Sequence, residues 1–414
     1  MKTVLWFSDH YFSDKSIITG GWVQSLAEIL QASNQVNIVG VTTGTSSQGN
    51  IKKSIYKGIV QYQIPLQKDP NKYIKSIISI VEDCKPDIIH VWGTERIWLY
   101  LLVQCKLNVP LLLDIQGLLF TCYYHFLGGL SMTEVIKSIH LKEILLPWRS
   151  LWGKKKTLKK RGIKEIEALK NIKHISVQSE WVKNQIWSLK NSDTFFYYTK
   201  ITLRQEFYQA TPWSYHNRKS NPIIYSSCNA ATSFKGLHIL IKALSILKKI
   251  YPVIQLRLAG TIDVGNRILD GYSIYLRRLA KDLDVNKNIE YIGRLNANEV
   301  IKELQQSDVC VIPSFVETYC LGFAEAMMIG VPCVASYAGA MPELAEHKKE
   351  ALFYNPTDIN TCAAFIDCII QNAHLASFLS ENARKRRLKE NSTDQIVRTQ
   401  LSIYERVLYN HGIN

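Results

Sequence analysis

Long apolar runs are absent from this sequence. No stretch approaches the roughly 18–20 apolar residues that span a bilayer. The opening MKTVLWFSDH is too short, and too soon interrupted by Asp9, for a signal peptide. The nine cysteines form no CxxC pair and no regular framework, which argues for free thiols in a reducing compartment. We therefore expect a cytoplasmic protein.

Acidic residues are scarce compared with basic ones. The chain has 35 Asp and Glu against 50 Lys and Arg, a formal net charge of +15. Such an excess favours contact with something anionic, whether a phosphorylated ligand, a nucleic acid or a membrane surface. Outside one segment described below, no motif combines basic and aromatic residues as nucleic-acid binding requires, so we expect no nucleic-acid partner.

Composition and length exclude disorder and a single small core. The chain has 414 residues, of which 47% are hydrophobic and 21% charged, enough for two or three domains. Strand-like runs alternate with helical patterns in both halves, as parallel sheets covered by helices require. A polar stretch near residues 205–220 separates the halves. We expect an α/β fold of two Rossmann-like, doubly wound domains, over residues 1–205 and 206–394, facing each other across a cleft.

Two glutamates follow one strand of the second half. The apolar run VCVIPS ends at Ser314, a loop carries Glu317, and a helix carries Glu325 and stops at Gly330. The positive end of a helix suits a phosphate, whereas carboxylates accept hydrogen bonds from sugar or ribose hydroxyls. The alternative is structural: Glu317 caps the helix and Glu325 lies on its solvent face.

The stretch from Pro313 to Asp358 resembles the donor-binding signature of the retaining glycosyltransferases of family four, which have the GT-B fold. It contains two glutamates separated by seven residues, a G-x-P strand, a Gly-x-x-Pro-Glu turn and a closing Asp. The resemblance implies that Glu317 contacts hydroxyls of the transferred sugar and that Glu325 holds the ribose of the nucleotide. It also implies that the sugar and diphosphate are approached by the backbone of Tyr319, Cys320, Leu321 and Gly322.

A lysine opens the first helix of the second half. In SFKGLHILIKAL, Lys235 and Gly236 follow a strand and precede an amphipathic helix. The resemblance implies that Lys235 neutralises the diphosphate and helps the nucleotide to leave. Taken alone, a lysine before a helix is an exposed side chain.

The second half departs from the family pattern in one respect. Family members usually carry an arginine five or six residues before this lysine, where Asn229 and Ala230 stand here. Either another base such as Arg294 substitutes for it, or phosphate binding is weaker than usual. Gly293 and Arg294 match the region that holds the nucleobase in the family, and Asn229 remains a candidate donor contact.

Three sites in the first half also match the family. Gly20 and Gly21 resemble its glycine loop over the diphosphate and acceptor, although a flexible turn is the alternative. His90 lies in a strand that resembles an acceptor-side element, with a structural histidine as the alternative. Gln116 stands where many members have a histidine beside the transferred sugar. Because Gln does not titrate, this fits a front-face mechanism in which the leaving phosphate helps to deprotonate the acceptor.

The segment from Phe120 to Arg161 has an unusual composition. Between Trp148 and Arg161, apolar side chains accompany seven basic residues, six of them between Lys154 and Arg161, without an acid. This pattern is typical of a segment that lies on an anionic membrane surface, and a packed helix with a solvated basic tail is the alternative.

The resemblance covers most of the chain and implies a retaining hexosyltransferase with the second domain binding the nucleotide sugar. We expect an acceptor-binding first domain, a terminal helix over about 395–414 packed back onto it, and no metal or other cofactor. The expected reaction is transfer from a nucleotide-diphosphate sugar to a growing glycan or lipid-linked acceptor, in surface polysaccharide biosynthesis. The alternatives are a synthase that accepts a sugar phosphate and a catalytically silent scaffold of the same fold.

Overall fold

The computed structural model describes residues 1–14, 21–45, 49–218, 220–228, 232–260 and 270–412. Within these ranges the strands are β1 (Lys2–Phe7), β2 (Val36–Thr43), β3 (Lys52–Tyr56), β4 (Ile59–Ile64), β5 (Ile88–Trp92), β6 (Leu111–Asp114), β7 (His174–Val177), β8 (Phe195–Tyr198), β9 (Ile223–Cys228), β10 (Gln255–Gly260), β11 (Ile289–Gly293), β12 (Val309–Ile312), β13 (Cys333–Ser336) and β14 (Leu352–Tyr354). The α-helices are α1 (Gly21–Ala32), α2 (Pro70–Cys84), α3 (Ile97–Cys105), α4 (Leu119–Tyr124), α5 (Met132–Lys137), α6 (Leu141–Leu145), α7 (Leu151–Leu169), α8 (Glu180–Ile186), α9 (Gln205–Gln209), α10 (Leu237–Leu247), α11 (Gly271–Asp282), α12 (Ala297–Gln306), α13 (Leu321–Ile329), α14 (Met341–Leu344), α15 (Ile359–Gln371), α16 (Ala373–Glu390) and α17 (Thr393–Asn410).

The chain folds into two compact units. The first combines Met1–Phe120, Arg161–Arg204 and Glu390–Asn414, and the second combines Thr121–Lys160 with Gln205–Lys389. Each unit is built around one sheet with helices packed against it. The expected α/β class, with two Rossmann-like doubly wound units, is confirmed.

The sheet of the first unit has eight strands in the order β3-β4-β2-β1-β5-β6-β7-β8. All its pairings are parallel except that of β3 with β4. Every residue of β5 is buried, because helices cover both faces of a central parallel strand. The strand order reverses between β1 and β5. This position is the switch point of the sheet, where ligands bind in such folds.

The terminal helix α17 belongs to the first unit. Its Tyr404 hydroxyl accepts a hydrogen bond from Nε1 of Trp6 on β1 at 3.0 Å and lies 3.0 Å from Nδ1 of His90 on β5. Thr199 donates to the Gln400 amide oxygen at 3.3 Å. These buried polar contacts fix α17 against the amino-terminal sheet.

The sheet of the second unit has six parallel strands in the order β11-β10-β9-β12-β13-β14. Strand β9 starts the unit and β12 comes back beside it, so the switch point lies between β9 and β12. The loops that leave the carboxyl ends of these two strands therefore meet at the edge where such sheets bind ligands.

Residues 121–160 pack within the second unit and not, as the sequence predicts, within the first domain. Glu134 of this segment accepts a hydrogen bond from Lys242 of α10 at 2.6 Å and another from Tyr275 of α11 at 2.8 Å. The chain thus leaves the first unit at Phe120, contributes forty residues to the second and returns at Arg161.

Among the described residues, no single helix has the length and apolar composition needed to cross a membrane. The pair Ile359–Gln371 and Ala373–Glu390 passes the same test only when combined, and it is bent by 100°.

Candidate functional site

A lysine and a glutamate form an ion pair at the switch point of the second sheet. Lys235 ends a short 3-10 turn, Ser233–Lys235, in the connection after β9, and Glu317 lies in the loop after β12. Their Nζ and Oε1 atoms are 2.6 Å apart. The backbone also joins the two loops, because the Phe315 N–H donates to the Phe234 carbonyl at 2.7 Å. The structure therefore brings together two residues that lie 82 positions apart in the sequence.

Glu317 is fixed from several sides. The Ser314 hydroxyl donates to Oε1 of Glu317 at 2.7 Å, and the Ala340 N–H donates to its backbone carbonyl at 2.9 Å. The Ser336 hydroxyl in turn donates to the Ser314 carbonyl. The Glu317 side chain is 12% exposed and that of Lys235 is 29% exposed, so both remain reachable at the edge of the sheet.

The charge of Lys235 depends on its partner. Burial favours the neutral amine, but the neighbouring Glu317 carboxylate outweighs it and holds the pKa of Lys235 above its ordinary value. Lys235 is therefore a permanent cation at neutral pH. A diphosphate at this edge would compete with Glu317 for that cation, which would leave the carboxylate to accept hydrogen bonds from sugar hydroxyls.

The backbone at Lys235 requires a glycine next to it. Gly236 has φ +70°, and a Cβ there would collide with the carbonyl oxygen of Pro313 at the end of β12. Only glycine permits both the left-handed conformation and this close approach. Gly236 thus sets how closely the Lys235 turn lies against the Glu317 loop.

Helix α13 begins at the same edge. Cys320 precedes it with φ +77° and ψ +76°, and its carbonyl accepts from the N–H groups of Phe323 and Ala324, each at 3.1 Å. The first turn contains Leu321 and Gly322, whose N–H groups lie at the positive end of the nine-residue helix. Tyr319 and Cys320 lead into it. This arrangement suits an anion.

Glu325 lies in the middle of α13 and is buried. This burial excludes the alternative in which Glu325 lies on the solvent face of the helix. The capping alternative for Glu317 also fails, because its carboxylate contacts Lys235 and Ser314, and α13 has no side-chain cap.

The other donor-side residues stay predictions. Gly293 ends β11 with φ +74°, and Arg294 follows it with an exposed side chain two strands away from β9. Substitution of Arg294 for the usual arginine stays a prediction. Gly20 and Asn229 lie outside the described residues. Gly21 is the first residue of α1.

In the first unit, Gln116 contacts a buried carboxyl group that sequence reasoning missed. The Gln116 side-chain amide donates to Oδ1 of Asp114, and Nε2 of Gln178 donates to the same oxygen at 2.6 Å. Burial raises the pKa of Asp114 to about 8, although these hydrogen bonds oppose the rise. The sequence signal was the acid that ends the apolar run VPLLLD, because an acid at the end of a buried strand rarely lacks a partner.

His90 is a core residue in this structure. Its ring is fully buried, contacts the Tyr404 hydroxyl and lies with its centroid 4.1 Å from that of Trp92. Burial lowers the pKa of His90 to about 3, so the ring is neutral at physiological pH. These contacts support the structural alternative, and the acceptor-side role of His90 stays a prediction.

A cavity of about 500 Å³ opens at the carboxyl edge of the first sheet. Burial raises the pKa of Glu95, one of its lining residues, to about 7. Glu165 also lines it and accepts hydrogen bonds from the Leu119 and Phe120 N–H groups at 3.0 and 2.9 Å. Arg161 and Lys164 supply positive charge. The cavity combines hydrogen-bond acceptors with cations, as binding of a hydroxylated, anionic molecule requires.

Metal ligands are not clustered in the part of the chain that the structure describes. No group of three or more His, Cys, Asp or Glu side chains there could hold a metal ion. Asp282 ends α11, and Asp284 pairs with Lys248 at 2.9 Å.

A protein family matches the second unit. Residues 211–386 match the family of glycosyl transferases, group 1. An uncharacterised glycosyltransferase of Methanocaldococcus jannaschii is 26% identical over 171 residues, which are 41% of this chain and 42% of the relative. The chain spans less than half the length of the first curated relatives that it matches.

Solved structures match the whole chain. Sucrose-phosphate synthase from Thermosynechococcus elongatus has a TM-score of 0.74 at 16% identity, covering 99% of this chain and all of the other. Anabaena HepE, solved in complex with UDP-glucose, has a TM-score of 0.69 at 14% identity and the same coverage. Identities this low establish the fold alone. The fold of the chain is therefore GT-B, and residues 211–386 are similar to the glycosyl transferases of group 1.

Proposed function

We propose that this protein transfers a sugar from a nucleotide-diphosphate donor, with retention of configuration, to a growing glycan or lipid-linked acceptor in surface polysaccharide biosynthesis. The ion pair between Lys235 and Glu317 is the observation that carries the proposal. It joins a cation for phosphate and an acceptor for sugar hydroxyls at the switch point of a group 1 domain. The complex of the similarly folded HepE with UDP-glucose supports a nucleotide sugar as donor.

Each side chain has one task in the proposed reaction. Lys235 and the first turn of α13 bind the diphosphate and stabilise the charge that develops on it. Glu317 accepts hydrogen bonds from the sugar hydroxyls, and Glu325 accepts them from the ribose. No metal is required for these contacts.

The bond changes balance without a protein base. The bond from the anomeric carbon to the phosphate oxygen breaks, and a bond from that carbon to the acceptor oxygen forms on the same face. The acceptor proton moves to the leaving phosphate. Gln116 suits this scheme because its amide does not titrate, and its contact with Asp114 fixes the orientation of the amide.

The experiment is turnover across a panel of UDP- and GDP-sugars, with the anomeric configuration of the product read by NMR. The proposal predicts release of nucleoside diphosphate from at least one donor and a product with the configuration of that donor. An inverted product would contradict retention, and binding without turnover would favour the silent scaffold.

A sugar phosphate is the second candidate acceptor, and the cavity of the first unit favours it. Arg161 and Lys164 bring two positive charges to a cavity that also contains Glu95. The fold shared with sucrose-phosphate synthase is consistent with this reading. Transfer to free sugar phosphates, measured beside transfer to lipid-linked glycans, distinguishes the two acceptors. We further propose that the reaction takes place at the cytoplasmic face of a membrane.

A further inference from the structure

The acidic side chains of residues 131–154 contact the rest of the second unit. Glu134 on α5 binds Lys242 and Tyr275, and the Glu143 carboxylate on α6 accepts from the Gly271 N–H at 2.8 Å. Lys154 at the start of α7 pairs with Asp270 at 2.5 Å. Although burial opposes it, the hydrogen bond from Lys242 holds the pKa of Glu134 at about 2, so this anchor remains ionised. Polar contacts therefore attach this segment to α10, α11 and the residues just before α11.

Large apolar side chains of the same segment are exposed. We call these residues the outer face: Ile136 (63% exposed), Leu141 (71%), Ile144 (64%), Leu145 (75%) and Trp148 (64%). A surface segment of a soluble protein normally buries such residues and exposes its acids. The pattern here is reversed, and five large exposed apolar side chains within residues 136–148 mark an interaction surface.

Positive charge surrounds the outer face. Residues 121–160 contain eight Lys and Arg but only two acids, Glu134 and Glu143, both of which are turned inward. Lys137, Lys142 and Arg149 have exposed positions among the apolar residues. A cavity of about 340 Å³ beside Trp148 is lined by the same Lys142 and Arg149, together with Lys154 and the acids Glu143 and Asp270. The surroundings are therefore complementary to an anionic partner.

We infer that the outer face inserts into the interfacial region of an anionic phospholipid bilayer, with the surrounding Lys and Arg side chains on the lipid phosphates. Apolar side chains with Trp at the boundary and cations around them match the layered polarity of a bilayer interface. A helix-binding protein groove is a poorer fit, because α5 and α6 have only six and five residues. The sequence predicted the basic part from Trp148 to Arg161, and the structure adds α5 and α6.

The inference rests on the proposed function and deepens its membrane part. The residues of the outer face do not include Lys235 or Glu317. Its test can therefore be separated from catalysis. A Glu317→Gln variant should bind vesicles as the wild type does, whatever its activity.

Vesicle flotation tests the surface directly. The probes are vesicles of phosphatidylcholine, with and without phosphatidylglycerol, at low and high salt. We expect binding to the anionic vesicles that weakens as salt rises. The triple variant Leu141→Ser, Ile144→Ser, Leu145→Ser should lose about tenfold or more in partition coefficient, because three exposed apolar side chains no longer leave water on binding.

Matched controls exclude general effects of the substitutions. Ile250 and Val253 are 57% and 60% exposed elsewhere in the second unit, so Ile250→Ser with Val253→Ser should bind vesicles like the wild type. For charge, Lys156→Glu with Lys160→Glu should weaken binding, whereas Lys281→Glu with Lys302→Glu should change it far less. A far-UV circular dichroism spectrum and a thermal unfolding midpoint like those of the wild type verify that each variant is folded.

Two results would overturn the inference. One is wild-type protein that stays unbound to the anionic vesicles. The other is a triple variant that binds them as well as the wild type does. If the outer face instead pairs two copies of this chain, light scattering will show a wild-type dimer that the triple variant converts to monomer, with vesicle binding unaffected.

Discussion

Lys235, in the loop after β9, and Glu317, in the loop after β12, form an ion pair with 2.6 Å between Nζ and Oε1. Each belongs to a different loop at the switch point of the second sheet, so the pair exists only when both loops have folded. The proposed donor site is built around this pair.

Replacing Lys235 should affect the chemical step. We expect Lys235→Ala to lower kcat by about 100-fold, because one fixed cation no longer stabilises charge on the leaving diphosphate. Steady-state kinetics with the donor identified by the panel measures this. Lys248→Ala, which removes an exposed ion pair with Asp284, is the control and should leave kcat unchanged. Equal kcat values for wild type and Lys235→Ala would exclude the proposed role.

Segment 121–160 should influence the donor site through Gly128. Ser233 donates its hydroxyl to the Phe126 carbonyl, and Gly128 has φ +59°, where a Cβ would collide with the Ser233 carbonyl. Gly128→Ala should therefore displace the Ser233–Lys235 turn and raise the donor KM or lower kcat. Gly49→Ala is a matched control, because Gly49 also has positive φ but open space around it. Indistinguishable kinetics for the two variants would show that this contact does not position Lys235.

Asp114 should make the first unit less stable as pH rises. Its pKa is raised from 3.8 to about 8, so between these values the folded state holds a proton that the unfolded state has lost. Stability should then fall with rising pH by up to about 1.4 kcal/mol per pH unit. Glu95, raised to about 7, contributes in the same direction, and His90, lowered to about 3, in the opposite one.

Comparison with Asp114→Asn isolates that contribution. Urea unfolding from pH 5 to pH 8 should show the variant gaining stability relative to the wild type as pH rises, because Asn carries no titrating proton. Parallel curves for the two proteins would mean that Asp114 is ionised in the folded state.

His90 should contribute to stability without affecting the reaction. Tyr404→Phe removes the hydroxyl shared by His90 and Trp6, and we expect it to cost about 1–3 kcal/mol of unfolding free energy. Donor and acceptor KM values should stay unchanged in Tyr404→Phe and in His90→Leu. A rise in acceptor KM for His90→Leu at unchanged stability would instead support the acceptor-side role.

The sequence predicted the features that local pattern encodes. Alternating strands and helices predicted the two sheets, and the position of Glu317 after an apolar strand predicted its place at a strand end. The family resemblance added Lys235 and the roles that we propose for both glutamates. The pairing of Lys235 with Glu317 could not be derived, because nothing in the spacing of two loops 82 residues apart fixes their contact.

Other features depend on contacts that periodicity does not report. Residues 121–160 attach to the second unit through Glu134 and Lys242, which are 108 positions apart. The outer face could not be recognised for the same reason. The sequence pattern predicts an apolar residue on a short helix to be buried, and only the packing of the fold shows whether it is. The raised pKa of Asp114 follows from burial at a strand end, which depends on the packing of neighbouring strands.

The most direct measurement is kcat/KM for release of nucleoside diphosphate from UDP- and GDP-sugars by wild-type protein and by Glu317→Gln. We expect turnover of at least one donor by the wild type and a loss of about tenfold to 100-fold in the variant, because the amide accepts hydrogen bonds from sugar hydroxyls less strongly than the carboxylate does. Absence of both turnover and nucleotide binding across the whole panel would contradict it.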